Sequence, residues 1–471
     1  MTVRTEPARG MRDFLPEDVR RRRHVIGVIE DVYQRYGFEP VETPAVENLE
    51  TLLGKYGDEG NQLIFKILKR GEGEATGQAD LALRYDLTVP LARLIAHHQS
   101  KLPRLFKRYQ IQPVWRADRP ARGRFREFYQ CDVDALGSTS PVVEVELCCA
   151  VSDVLEALGF VDFNVVLNHR KVLAGILESQ GVPAALHGPA LVAVDKLDKI
   201  GVGGVRKELV ERGVPDDAAE SLASMFEKVR ALYDAMQVEV SQVSANGLLQ
   251  EIRDRFNHRI WEHLGALIGS TPVGVDGLNE LGAILQLAKG TSLGRHVLMS
   301  PALARGLSYY TGAIMEINVP DLAGSLGGGG RYDNLVGMFL GQNVPACGFS
   351  LGLERILVVM GERGMFPPSL TAAPADVMVA TFDATDAPHA LRVATELRKS
   401  GLRVLVYPDA DKIGKQIKYA DSRGIPFVAI LGADEIAAGT VTVKHLAAQA
   451  QATHPQTAAG AAIREALRHR G

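Results

Sequence analysis

With 471 residues, the chain is too long for one hydrophobic core, and about 100 to 200 residues per domain suggests two to four domains. Its 46% hydrophobic and 23% charged residues exclude bulk disorder and a fibrous fold. A net charge of −3 means that any nucleic-acid partner must be gripped by a local basic patch.

The N-terminal run MTVRTEPARGMRDFLPED carries charges where a secretory leader has its apolar core. No stretch reaches the roughly 18 apolar residues of a membrane span, so a cytoplasmic chain without membrane contact is expected. Pro16 to Tyr36 reads as a helix of charged and apolar residues. It leads into GFEPVETPAVE, where Pro40 and Pro44 interrupt an extended segment suited to a strand at a subunit edge. QLIFKIL and LALRYDLTVPLARLI flank KRGEGEATGQAD, a polar Gly-rich stretch read as an exposed loop. His97 and His98 read as helix surface, not as ligands.

Residues 101 to 126 hold Lys101, Arg104, Lys107, Arg108, Arg116, Arg119, Arg122, Arg124 and Arg126 against Asp118 alone. That is +8 in a chain of −3, so the remainder carries −11; such focusing marks a site for phosphates. LFKRYQIQPVW and FREFYQCDVDALG alternate like two antiparallel strands joined by the Arg-rich turn. The four cysteines, Cys131, Cys148, Cys149 and Cys347, include no CxxC pair, and EVELCCAVSDVLEAL has helical spacing; the reading is reduced core thiols.

From about residue 175 to 270 the pattern is helical and charged, with no catalytic cluster. Apolar, Gly-rich sequence returns with ARGLSYYTGAIMEINV, GSLGGGGRYDNLVG and PACGFSLGLERILVVM. The last reads as a strand, a Gly turn and a helix carrying Glu354 and Arg355. After FPPSLTAAPAD, the segments ADVMVATF, LRVATELRKSG, LRVLVYP, KIGKQIKYADSRG, IPFVAILG and TVTVKHL alternate strand with helix. They predict a small α/β domain on a largely parallel sheet.

No GxxxxGK[ST] loop, Rossmann fingerprint or HExxH pair occurs, so any ATP must be held another way. Arginine suits the task, because its planar fork donates two parallel hydrogen bonds to phosphate oxygens and never deprotonates. Arg116, Arg124, Arg305 and Arg355 each lie at the end of, or beside, an ordered apolar segment. At these residues the chain resembles class II aminoacyl-tRNA synthetases. WRADRPARGRFREFYQ is similar to their motif 2, GFEPVETPAVE to motif 1 and GFSLGLERI to motif 3. LARGLSYYTG and GGGGRYDNL resemble the signatures of the histidyl-tRNA synthetase family, and the match spans nearly the whole chain.

The resemblance implies an α+β catalytic domain built on an antiparallel sheet flanked by helices, in two parts at residues 1–174 and 271–370. A helical insertion at 175–270 and a C-terminal α/β anticodon-binding domain at 375–471 complete the plan. It also implies a homodimer through motif 1, and ligation of L-histidine to tRNA(His) through a histidyl-adenylate with release of AMP and pyrophosphate. ATP with Mg2+ is the expected co-substrate, with no tightly bound organic cofactor.

Carried onto this sequence, Arg116 would hold the α-phosphate, Arg355 the γ-phosphate and Arg124 the distal phosphates, with Phe128 stacked on adenine. Arg305 would touch both the amino-acid carboxylate and the α-phosphate, which makes Arg305 and Arg116 the catalytic pair. Asp86, Thr88 and Gln130 suit the ammonium. Asp134 would meet one imidazole nitrogen, since residues 130, 132 and 134 of a strand share a face. Tyr310 is the expected partner of the other nitrogen, with Tyr332 lining the same cavity. Tyr309 ranks behind Tyr310, because only one of two adjacent strand residues faces a pocket. Such a pocket discriminates without an editing domain. Glu127 and Glu354 are candidates for Mg2+. Ser308 stands where many members have Asp, and Ala121 where bacterial members often have Gln. The rival reading is a non-catalytic paralogue, the regulatory subunit of ATP phosphoribosyltransferase, which generally lacks the anticodon-like domain.

Overall fold

The chain falls into two units, Met1–Phe366 and Pro367–Gly471. The computed structural model describes residues 5–243, 246–304, 309–371 and 373–468, so Arg305 and Ser308 lie outside the described residues.

The first unit contains, in chain order, β1 (Glu39–Pro40), β2 (Val46–Asn48), β3 (Lys66–Leu68), β4 (Ala79–Leu83), β5 (Phe106–Trp115) and β6 (Glu127–Leu136). Then follow β7 (Asn164–His169), β8 (Val297–Met299), β9 (Ala313–Asn318), β10 (Ser325–Arg331) and β11 (Ala346–Gly352). Eight of these build one sheet in the order β1-β5-β6-β11-β10-β9-β7-β8, while β2, β4 and β3 form a small antiparallel sheet. The large sheet is antiparallel from β5 across to β7 and parallel only where β1 and β8 join its edges. The expected hairpin is present, with Phe106 opposite Leu136 and Trp115 opposite Glu127.

One face of this sheet is apolar. Cys131 and Val133 of β6 and Cys347, Phe349 and Leu351 of β11 are buried in a core they share with Val25, Ile29, Cys148 and Cys149. Those last four come from the helices Pro16–Arg35 and Val142–Ala157. All four cysteines are buried, as expected of core thiols; each large apolar side chain so covered contributes about 1.5–3 kcal/mol. The helix Val142–Ala157 packs directly on β11.

The opposite face is largely polar, and most of its side chains are buried. There Gln112 pairs across to Gln130 and Gly352; Gln110 to Asp132, Ser350, Gly328 and Glu316; and Arg108 to Asp134, Gly348, Gly330 and Ile314. Glycines at 328, 330, 348 and 352 supply no bulk over the middle strands. At Gly348 there is no room for any: a Cβ there would sit 1.9 Å from Asp134 Oδ1.

Two segments depart from the sequence reading. KRGEGEATGQAD winds into a short helix, Glu72–Thr76, between Gly71 and Gly77, whose φ values of 71° and 69° turn the chain in and out of it. The second departure lies in the C-terminal unit. Its sheet has the order β13-β12-β14-β15-β16, with β12 (Val377–Thr381), β13 (Val404–Val406), β14 (Phe427–Leu431), β15 (Thr440–His445) and β16 (Ala450–Pro455). Only β13, β12 and β14 are parallel; β15 and β16 run antiparallel, so the sheet is mixed and not largely parallel. The strand missed in the sequence, AQATHP, is almost wholly exposed. With no buried face it lacks the apolar period by which strands are recognised.

Helices fill the chain between β7 and β8: Arg170–Ser179, His187–Val194, Leu197–Glu211, Asp216–Ser241, Asn246–Ile268 and Pro272–Ala288. The first and last of these touch at Gly175 and Gly274, where a Cβ on Gly175 would come within 2.5 Å of the Gly274 Cα. His97 and His98 end the helix Thr88–His98 on the surface.

Candidate active site

A cavity of about 370 Å³ opens over the polar face of the large sheet. Of the residues singled out in the sequence, Asp86, Thr88, Arg116, Arg124, Phe128, Gln130, Tyr309, Tyr310 and Arg355 line it. They come from elements more than 200 residues apart in the chain. What brings them together is the pairing of β6 with β11 and of β11 with β10.

Arg116 follows the last residue of β5, and its main chain is tied to the returning strand by the bond from Arg116 N–H to Arg126 O at 2.9 Å. Its Nε donates to Tyr85 O at 3.0 Å, and the guanidinium lies over the rings of Tyr85 at 4.3 Å and Phe128 at 5.2 Å. The fork is therefore held before any ligand arrives. Arg355 starts the helix Leu353–Glu362, which follows β11 directly. Its guanidinium donates to Ser325 O and its side chain packs against Gly123, Gly324 and Gly352. Gly123, at φ 67°, turns the loop that carries Arg124.

The carboxylate of Asp86 is buried, with Oδ1 accepting from Tyr56 Oη at 2.9 Å and Val89 N–H at 3.1 Å, and Oδ2 accepting from Tyr309 Oη at 3.4 Å. Burial raises its pKa, against the lowering effect of the Val89 N–H, Arg116 and the two tyrosines. Tyr309 and Tyr310 both face the cavity, because they precede β9 and are not on a strand. Alternation therefore does not choose between them.

Asp134 and Tyr332 lie behind the cavity wall. Tyr332 Oη donates to Asp134 Oδ1, and Asp134 Oδ2 is 2.8 Å from Arg108 Nη2. The expectation that Tyr332 lines the cavity gives way to a supporting position: it is 2% exposed and holds Asp134. Arg305 lies outside the described residues.

The basic run disperses on folding. Arg116 and Arg124 line the cavity, but Arg108 is fully buried beside Asp134, Lys107 pairs with Glu146 at 2.9 Å, and Arg122 binds Glu362. Of these, only Arg116 and Arg124 face the cavity. Of the Mg2+ candidates, Glu354 is in the cavity wall and Glu127 is not. Both Glu354 oxygens are engaged, Oε1 by Arg22 Nη1 at 2.8 Å and Oε2 by Tyr129 N–H at 2.9 Å. Among the described residues, no group of three or more His, Cys, Asp or Glu is arranged to hold a metal ion.

Sequence reasoning missed Glu316, Ser350 and Asp132. Glu316 is the one acid in the apolar strand AIMEIN and lines the cavity; a lone acid at an inward strand position was its signal. Asp132 shares a face with Gln130 and Asp134, and that alternation was visible in YQCDVD.

Comparison with known proteins shows the family. Residues 10–259 and 254–356 match the family model described as histidyl-tRNA synthetase, and residues 376–466 match an anticodon binding domain. Proteins named histidine–tRNA ligase from Christiangramia forsetii and Porphyromonas gingivalis are both 40% identical, over 93% and 96% of this chain and 94% and 97% of theirs. A crystal structure of histidyl-tRNA synthetase from a Nostoc species superposes with a TM-score of 0.74 at 30% identity, covering 98% of this chain and all of that one. A Bacillus halodurans structure titled as an ATP phosphoribosyltransferase regulatory subunit/histidyl-tRNA synthetase, 19% identical with a TM-score of 0.66, shares the fold. With motif residues gathered around one cavity and relatives matching from end to end, the chain belongs to the histidyl-tRNA synthetase family.

Proposed function

We propose that the chain ligates L-histidine to tRNA(His) at the expense of ATP, and that Asp86, Thr88, Gln130, Tyr309 and Tyr310 receive the amino acid while Arg116, Arg124, Phe128 and Arg355 receive the nucleotide. The observation that carries this reading is the convergence of both groups of residues on one cavity of about 370 Å³. A carboxylate oxygen of L-histidine attacks the α-phosphorus, the bond to the bridging oxygen breaks, and pyrophosphate leaves. A ribose hydroxyl of the tRNA then attacks the histidyl carbonyl and releases AMP. In the first step negative charge grows on phosphoryl oxygens, and fixed guanidinium groups lower that barrier without a covalent intermediate on the enzyme. Arg305, from its motif, joins Arg116 in aligning the attack. Asp134 and Tyr332 complete recognition of the ring from behind the wall.

Mg2+ enters with the triphosphate, and such an ion needs only one or two protein carboxylates. Of the two candidates Glu354 is the one in the cavity wall; both its oxygens are already engaged, so an ion there would be held mainly by phosphate and water. We assign the homodimer to the edge of the large sheet where β1 lies, residues 375–471 to the anticodon, and residues 175–270 to an insertion in the catalytic domain. The place of action is the cytoplasm; among the described residues no helix is long and apolar enough to cross a membrane. The match of residues 376–466 to an anticodon binding domain favours the ligase over the regulatory-subunit reading.

The purified protein is expected to exchange pyrophosphate into ATP only with L-histidine present; equal exchange driven by proline or threonine removes the specificity. Gly348→Ala tests the pocket from beneath. The added methyl displaces Asp134, so the KM for L-histidine is expected to rise at least about tenfold, with the KM for ATP within about twofold. An unchanged histidine KM refutes a part for Asp134 in recognition.

A further inference from the structure

Three successive same-face positions of β6 hold buried oxygen acceptors: Gln130 Oε1 and Asp132 Oδ1, which have no hydrogen-bond donor among the described residues, and Asp134 Oδ2, whose one ion-pair neighbour among them is the Arg108 guanidinium. Alternate strand residues are roughly 6–7 Å apart, a step that one amino acid with a short link to a ring can span. Gln130 lines the cavity, and its Nε2 donates to Ser350 Oγ at 2.8 Å. Ser350 lies directly across from Asp132 and bonds to it. Asp132 is therefore one hydrogen bond from the cavity wall, between the two β6 residues assigned above to the ligand.

The charges around it are unequal. Asp132 and Asp134 are each 2% exposed, and the cation between them is Arg108 of β5, fully buried. Arg108 Nη2 lies 2.8 Å from Asp134 but 3.9 Å from Asp132. Asp134 also accepts from Tyr332 Oη, after β10. The other ionisable groups bearing on Asp132 are Asp86 after β4, Arg84 beside it, Tyr310 before β9, Tyr33 of the first helix and the neighbouring Cys131. None of these brings a second cation into contact. Burial raises the pKa of both carboxyl groups; Arg108 opposes this, and the mutual repulsion of the pair adds to the rise at Asp132. Two carboxyls sharing one guanidinium in a dry site retain a proton, and the weaker contacts leave it on Asp132.

We propose that Asp132 is a further specificity-determining residue for L-histidine, forming with Asp134 a buried carboxylate pair that binds the side chain as imidazolium. This rests on the histidine-ligase reading. A neutral ring enters, the O–H bond at Asp132 breaks, and an N–H bond forms on the ring. The pair is left with two negative charges facing Arg108 and the imidazolium. The proton is already in the site, so no co-reactant is needed. An amino acid whose ring cannot accept that proton leaves the acceptors unfilled, which is the situation in which buried polar sites discriminate most strongly.

The test compares pyrophosphate exchange driven by L-histidine and by 3-(1,2,4-triazol-3-yl)-L-alanine, which has nearly the same shape and a far less basic ring. Asp132→Asn keeps the size and loses the charge. It is expected to lower the ratio of kcat/KM for histidine over the triazole at least about tenfold, with the KM for ATP within about twofold. A ratio unchanged within about twofold, with exchange intact, overturns the role of Asp132 and leaves the ligase reading standing. Absence of histidine-dependent exchange in the unaltered protein overturns both. Should Asp132→Asn not fold, the unaltered protein still decides, through nitrogen NMR of ring-labelled L-histidine bound at about pH 8, where the free ring is neutral. Both ring nitrogens protonated supports the pair; a neutral tautomer overturns it.

Discussion

Arg116→Ala is expected to slow histidine-dependent pyrophosphate exchange by about 10²–10³-fold, the range found when one charge-stabilising donor is removed from an acyl- or phosphoryl-transfer site. The guanidinium is held by Tyr85 O through Nε, by the rings of Tyr85 and Phe128, and by a main chain locked to Arg126. Among the described residues only Nε has a hydrogen-bond acceptor, so the two terminal nitrogens remain to meet phosphate oxygens. A group so fixed reorganises little as charge develops, and its loss falls on kcat more than on the KM for ATP. Arg116→Lys keeps the charge but not the fork and is expected to fall between the two. Steady-state exchange at varied ATP separates the parameters; a loss confined to the KM for ATP refutes a role in the chemical step.

The second large effect is on stability. Glu144 and Arg331 form a buried bidentate pair, Nε to Oε1 at 2.6 Å and Nη2 to Oε2 at 2.8 Å, while Arg331 Nη1 also donates to Ser138 O at 3.0 Å and Asp333 Oδ1 at 3.2 Å. Burial alone works against the charge on Arg331, yet the bonds to Glu144 outweigh it and raise its pKa. Glu144→Ala removes the bidentate partner and leaves the guanidinium only Nη1 contacts, to Ser138 O and Asp333, which costs about 3–5 kcal/mol and is read as a lower urea midpoint. The double replacement Glu144→Leu with Arg331→Met removes both fully buried charges, leaving only the partly exposed Asp333, and is expected to recover most of the loss. Additive losses in the two single variants and the double one refute the pairing as the source. Arg331 precedes Tyr332, which holds Asp134, so Glu144→Ala is also expected to weaken histidine binding in the fraction that remains folded.

Local sequence reaches far in this chain because several elements advertise themselves by period. The β5–β6 hairpin was readable from alternating apolar residues, and the helix Val142–Ala157 from its 3.6-residue repeat. Strand β16 was not readable, since an exposed edge strand has no apolar face to display. Charge was a poorer guide than pattern: Arg108 counted in the basic run like any other arginine, and only the register with Asp134 reveals it as a buried counter-ion.

The same contrast divides the site. The motifs' resemblance was enough to name the family and to nominate the four arginines and the amino-acid pocket, because motif chemistry is written in short segments. Which of those residues share a wall, that Tyr309 and Tyr310 both face it, that Tyr332 stands behind it, and that Asp132 is left with an unfilled acceptor were settled only by the cross-strand rows joining β5, β6, β11, β10 and β9. Pairing between strands distant in sequence sets which side chains meet and how deeply each carboxyl is buried, and no local pattern records that.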